Sequence, residues 1–221
     1  MRTATVRAVY TGDVVVGGPA DVRELPELTI TKVATNPFNN NCYLLTSHGD
    51  SLLVDAAGDP EVLLSLVGDS NLVGVVETHG HWDHWQALVD VVKATGAPVL
   101  ATAADAGDLP VPVDRFLGDG DVVTVGSVSL DAITLVGHTP GSVALHYDEE
   151  GGHLFTGDSL FPGGVGNTEQ DPKRFATLFH DVSTKLFDRF ADSTWVYPGH
   201  GADTTLGTER PALDDWRARG W

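Results

Sequence analysis

The stretch Thr78-His79-Gly80-His81-Trp82-Asp83-His84 puts three imidazoles and a carboxylate into six residues. Neutral imidazole is the commonest metal-ligating side chain, and a carboxylate adds a hard oxygen donor; the combination suits zinc, iron or manganese. Three more segments each carry one such group on a glycine-containing turn after an apolar run: Leu135-Val136-Gly137-His138, Phe155-Thr156-Gly157-Asp158 and Val196-Tyr197-Pro198-Gly199-His200. His79, His81, Asp83, His84, His138, Asp158 and His200 are more donors than one tetrahedral ion uses, and about right for two. Taken singly, each has a plainer reading: Asp158 as a turn former or helix cap, Asp83 as the cap of a helix starting near Trp85. Capping does not predict four segments with one shared context, and a metal site does.

These groups need a scaffold that delivers them from several strand ends to one place. Residues 28–33 alternate as a strand does, 36–41 are rich in turn residues, and 42–46 with 51–55 read as a hairpin across 47–50. Residues 59–67 read as a short helix with Pro60 in its first turn. Residues 73–77 are nearly all apolar, as in a strand buried on both faces, and run directly into the histidine-rich stretch. A helix is expected over 85–95, ending at Gly96, and a further buried strand over 98–102. Residues 121–147 are strand and turn. Residues 172–190 carry Phe175, Leu178, Val182, Leu186 and Phe190 at three- and four-residue steps, the spacing of an amphipathic helix. A last strand covers 194–197. The class is mixed α/β, with no linker or repeat dividing the chain.

Composition narrows the partners. The 221 residues carry 13 Lys+Arg against 31 Asp+Glu, a formal charge of −18, which disfavours a phosphate backbone or an anionic membrane surface. The single cysteine, Cys42, excludes an intrachain disulfide framework and reads as a small buried hydrophobe. No stretch has signal-peptide or membrane-span character, so a cytoplasmic protein is expected. His48, His146, His153 and His180 read as structural. Trp82 and Trp85 flank the donor stretch, where lining a pocket and packing are both open.

The ordered set of motifs resembles the metallo-β-lactamase fold superfamily, most of all its glyoxalase II-like hydrolases. The resemblance rests on His-x-His-x-Asp-His at 79–84, Gly-His-Thr-Pro-Gly at 137–141, Thr-Gly-Asp at 156–158 and Pro-Gly-His-Gly at 198–201, with Asp55 matching the family's early structural aspartate. It implies a four-layer αββα sandwich, a single domain over 1–221 with its core at about 28–208 and a short tail over 209–221. It further implies that His79, His81 and His138 hold a first metal, that Asp83, His84 and His200 hold a second, and that Asp158 bridges. Two divalent ions, zinc first with iron or manganese as alternatives, would share a hydroxide of lowered pKa that attacks a small-molecule thioester or ester. Asp83 would orient the nucleophile or shuttle a proton. No serine nucleophile is needed, and Ser159 has no metal-free His and acid beside it.

Departures from the pattern narrow the substrate. Asp158 stands where the commoner β-lactamases have cysteine, and Phe161 where quorum-signal lactonases have tyrosine. Asn167 occupies the place of a basic residue in glyoxalase II, and only 21 residues follow His200, so glutathione as the thiol carrier is not implied. The loops 36–41 and 161–168 are expected to flank the substrate, with plain surface turns as the alternative. A second reading is a persulfide dioxygenase of the same fold, with one iron on His79, His138 and Asp158. A third is a non-catalytic metal-binding domain.

Overall fold

The computed structural model describes residues 9–220. One sheet takes β1 (Asp21–Glu24), β2 (Thr29–Thr35), β3 (Asn40–Ser47), β4 (Asp50–Val54), β5 (Asn71–Val76), β6 (Val99–Ala101) and β7 (Arg115–Phe116) in sequential order, antiparallel as far as β4 and parallel beyond it. The second sheet uses β8 (Val122–Val125), β9 (Val128–Thr134), β10 (Val143–Tyr147) and β11 (His153–Gly157). A small separate hairpin, β12 (Leu160–Phe161) and β13 (Gly164–Val165), interrupts the chain before β14 (Trp195–Pro198) and β15 (Thr204–Thr205) complete that sheet in the order β15-β14-β11-β10-β9-β8.

Side-chain alternation along the strands sorts the apolar residues into three layers. Leu28, Ile30, Tyr43, Leu45, Leu52, Leu130, Leu145, Phe155 and Tyr197 fill the space between the sheets. On the outer face of the first sheet, Leu44, Leu53 and Val75 pack against Leu63 of α1 (Pro60–Val67) and Leu88 and Val91 of α2 (Leu88–Thr95). On the outer face of the second, Ile133, Leu154 and Val196 meet Phe175 and Leu178 of α3 (Pro172–Asp181), Leu206 of α4 (Leu206–Glu209) and Trp216 of α5 (Leu213–Arg219). The result is the four-layer αββα sandwich. α5 lies within the segment read as a tail, and its Trp216 is 2% exposed, a burial of the kind that contributes about 3–5 kcal/mol against alanine.

Three boundaries depart from the sequence pattern. The loop over 36–41 is shorter, because Asn40 and Asn41 already pair with Thr35 and Ala34 in the β2–β3 ladder. The helix expected from residue 85 starts at Leu88; Trp82–His84 form one 3₁₀ turn instead, and Asp83 caps nothing. The helix over 172–190 is regular only to Asp181 and continues as a π-helical stretch, Val182–Phe187, with Asp188 N donating to Ser183 O at 2.9 Å. Thr184 Oγ1 back-bonds to His180 O at 2.8 Å, a local competition of the kind that widens a helix turn. Among the described residues no helix is long and apolar enough to cross a membrane.

Candidate metal centre

The donors meet at one edge of the sandwich, where strands of both sheets end. β5 runs out at Val76, and the chain turns through Thr78, His79 and His81 into the 3₁₀ turn that carries Asp83 and His84. Asp158 follows β11, His138 follows β9, and His200 follows β14, the parallel neighbour of β11. Close backbone approach makes two glycines obligatory here. A Cβ at Gly166 would overlap the Asp158 carbonyl, and one at Gly199 would overlap the Asp158 carboxylate.

Potential ligand atoms of His79, His81 and His138 lie within 4.8 Å of one another, as do those of Asp83, His84 and His200, and those of His79, His84 and Asp158. Asp158 touches both sides. Its Oδ1 is 3.4 Å from His84 Nε2, and its Oδ2 is 3.5 Å from His138 Nε2 and 3.5 Å from His200 Nε2. Asp83 Oδ2 is 3.5 Å from His200 Nε2 and 3.8 Å from His84 Nε2. His79 Nε2, His138 Nε2 and Asp158 Oδ1 are buried without a hydrogen-bond partner among the described residues. Orphaned buried polar atoms are costly, about 1–3 kcal/mol each, and three pointing into one donor cluster fit metal ions as the missing partners.

The sequence relatives agree with the geometry. Residues 35–200 match the family model described as the metallo-beta-lactamase superfamily. The chain belongs to the metallo-beta-lactamase superfamily. Within it, the chain is 37% identical over 166 residues to a hydroxyacylglutathione hydrolase of Anaeromyxobacter dehalogenans, covering 73% of this chain and 61% of that protein's length. It is 29% identical over 205 residues to hydroxyacylglutathione hydrolase GloC of Haemophilus influenzae, covering 83% and 95%. Among solved structures, TTHA1623 in a di-iron-bound form shares 32% identity, with a TM-score of 0.70 over 81% of this chain and 96% of that one.

A metal site built from histidines needs imidazoles of fixed tautomer, and this chain supplies the orienting bonds from several elements. His84 Nδ1 bonds Asp55 Oδ2 at 2.8 Å, and Thr78 donates to both Asp55 oxygens from its backbone N and its Oγ1. His138 Nδ1 donates to Asn167 O at 2.7 Å, and His200 Nδ1 to Phe38 O at 3.0 Å. Each of these bonds leaves Nε2 for a metal. Asn40 Nδ2 donates to Asp83 Oδ2 at 3.0 Å, Asn36 Nδ2 to Asp83 O at 3.1 Å, and Gly80 N to Asp105 Oδ2 at 3.0 Å. Arg174 spans the Gly137 and His138 carbonyls. Asp105 and Arg174 do not stand out in the sequence, and Asn36, Asn40 and Thr78 do so only as parts of the 36–41 loop and the histidine-rich stretch, since only their spatial neighbours mark these supporting roles.

The electrostatics divide the donors. Burial pushes His79 well down and His138 down, keeping them neutral as ligands must be. Burial also opposes charge on His84, but Asp158 and Asp55 outweigh it and hold His84 well above the usual imidazole range. His200 is raised the same way, burial being overcome by Asp158. Asp158 in turn lies well below the carboxylate range; burial opposes its charge, and His84 and His200 win. Behind them, burial and the Asp55 charge raise the fully buried Glu77 carboxyl well above its usual range.

The remaining candidates fall outside the cluster. His48 pairs with Glu27 on the surface, His146 packs on Phe190, His153 bonds Tyr197 Oη, and His180 is exposed. Ser159 is buried, with no hydrogen-bond partner for its hydroxyl among the described residues. Cys42 is buried beside Thr35. Trp85 packs inward with its Nε1 on Gly80 O, whereas Trp82 is 55% exposed and meets Phe38 edge-on at 5.3 Å.

Proposed function

We propose that this protein is a dinuclear metal-dependent hydrolase of the glyoxalase II-like kind, cleaving a small-molecule thioester or ester. His79, His81 and His138 hold one ion, Asp83, His84 and His200 the other, and Asp158 is shared. The observation that carries this reading is the pair of donor groups meeting at Asp158, with orphaned buried atoms aimed between them. Zinc is the proposed metal; the donor set also suits iron or manganese, and the di-iron form of a relative favours iron as the alternative. Divalent ions so held supply Lewis acidity toward a carbonyl and lower the pKa of a bound water.

The chain's own residues do the rest. Asp55 and Thr78 fix the ring of His84, Asn167 that of His138, and Phe38 that of His200. Asp83 is the least buried carboxylate of the cluster, 19% exposed in its side chain, and Asn40 fixes its Oδ2. It is the group placed to accept a proton as the nucleophile forms and to return it to the leaving group. A cavity of about 780 Å³, walled by residues 161–168 with Gln170, Arg219 and Gly220, adjoins the centre across Gly166 and Asn167. It has room for the thiol or alcohol half of the substrate. The formal charge of −18 supports a small-molecule role without a phosphate backbone or an anionic membrane surface as partner.

The one-iron persulfide reading would use His79, His138 and Asp158 and leave the Asp83, His84 and His200 group without work. Metal content per chain separates the two. About two equivalents, together with thiol release from a thioester panel, support hydrolysis. One equivalent of iron with oxygen uptake on a thiol persulfide would overturn it. Asp83→Asn keeps a ligand oxygen but cannot take a proton, and should then lower kcat by about 10²–10⁴-fold while both equivalents stay bound; a rate loss no larger than the loss of the second equivalent would leave Asp83 a ligand without a proton-transfer role.

A further inference from the structure

β2 alternates, and its lysine falls on the wrong side for a lysine. Lys32 shares the inward face with Ile30, between the sheets, and is fully buried. Its three ammonium protons are all used: Nζ donates to Gly12 O at 2.7 Å, Gly201 O at 2.8 Å and Asp203 Oδ1 at 2.6 Å. The second Asp203 oxygen accepts from Tyr10 Oη at 2.7 Å and Trp195 Nε1 at 2.8 Å, and Asp203 N donates to Gly12 O at 3.1 Å. A Cβ at Gly12 would overlap the Asp203 side chain, so glycine is what lets this segment close over the pair.

A buried ion pair is weak evidence for stability, since apolar residues of similar volume often serve as well or better. What an apolar pair would not do is hold a carbonyl. Gly201 directly follows His200, and its carbonyl is shared between Lys32 Nζ and Asn41 Nδ2. Asn41 also bonds Pro198 O and Gly199 O, as does Tyr43 Oη with Pro198 O, so the near side of the turn is tied to β3 by neutral groups. Lys32 alone among these groups ties Gly201 to Asp203 on the far side.

We propose that Lys32 is a positioning residue for the second metal, setting His200 against Asp83 and His84 through Gly201 O and Asp203, with the segment around Tyr10 and Gly12 as the clip that closes over it. This rests on the two-metal reading above.

The test is a chelator titration of zinc-loaded protein, read as equivalents released, with melting temperature measured alongside. Lys32→Met/Asp203→Asn replaces the charges by neutral groups of similar volume and keeps an acceptor for Tyr10 and Trp195. It should melt close to the parent protein and hold the first equivalent as tightly, yet release the second at about 10–100-fold lower chelator. Wild-type retention of both equivalents in that variant would overturn the proposal. A parent protein that binds only one equivalent would overturn the two-metal reading itself and this inference with it. If the double variant does not fold, Tyr10→Phe decides, since it removes one bond to Asp203 and leaves Lys32 intact: a selective weakening of the second equivalent supports the proposal, and none overturns it.

Discussion

The two donor groups differ in what holds them and in what they are without metal. His79 and His138 are kept neutral by burial, and the turn carrying His138 is clasped by Arg174, whose side chain is 32% exposed. Asp158 and Asp55 raise the pKa of His84, Asp158 raises that of His200, and the turn carrying His200 is clasped by the fully buried Lys32. In the proposed two-metal centre the first position is therefore ready for a cation, whereas the second would take one in competition with protons, with Lys32 and Asp203 setting its geometry. Filling should be ordered, first position before second, with Asp158 as the residue through which one affects the other.

Removing that shared residue should have the largest effect. Asp158→Ala takes a carboxylate from both groups and leaves His84 only Asp55 and the more distant Asp83 as carboxylate partners. Loss of at least one metal equivalent is expected, with kcat/KM down by about 10³-fold or more, about 4 kcal/mol of transition-state stabilisation. Two equivalents retained at wild-type affinity would show that the groups are independent.

Acid should next separate the two positions without mutation. Protons compete for His84 and His200, whose pKa values are raised, and much less for His79 and His138, whose values are lowered. Dialysis from about pH 8 to about pH 6, spanning the ordinary imidazole value, should release the second equivalent and spare the first. The metal-free protein carries the opposite sign. With folded values above the unfolded one of about 6.5, His84 and His200 stabilise it below that pH, and the contribution fades as pH rises through their folded values. Asp158, depressed when folded, stabilises above about pH 3.9 and loses that contribution as pH falls through its folded value. Melting temperature from these groups should thus peak at mildly acid pH without metal, and rise toward alkaline pH with it. Parallel curves for the two forms would contradict the assignment of the charges.

Smaller effects should come from the orienting residues, and unequally. Asp55→Asn keeps shape, and asparagine tolerates the positive φ of 58° there, but it presents an amide to His84 Nδ1. A loss of about 10–100-fold in affinity is expected at the second position only, read by metal competition. Arg174→Ala removes carbonyl bonds that water can replace at a half-exposed site, so about 1 kcal/mol, roughly fivefold, is expected at the first position. An Arg174→Ala effect equal to that of the Lys32 variant would erase the distinction between a solvated clasp and a buried one.

Much of the centre is written locally. His79, His81, Asp83 and His84 share one turn, and a short turn can aim consecutive side chains at one point. His138, Asp158 and His200 each announce themselves by an apolar strand running into a glycine-bearing turn, and the layer architecture follows from which strands are apolar on both faces. Chain order and spacing are enough for these, because strand ends and turns are properties of a few neighbouring residues. The supports are of another kind. Lys32 meets Gly201 169 residues away, Asn40 meets Asp83 43 away, and Arg174 meets Gly137 37 away. In the sequence Lys32 is a polar residue in an alternating strand, Arg174 one of several charges on an amphipathic helix, and Asn40 part of a turn-rich run. Hydrogen bonds form between groups brought within about 3 Å, whatever their separation along the chain. Only the packing of the two sheets decides which polar side chain lies behind which ligand.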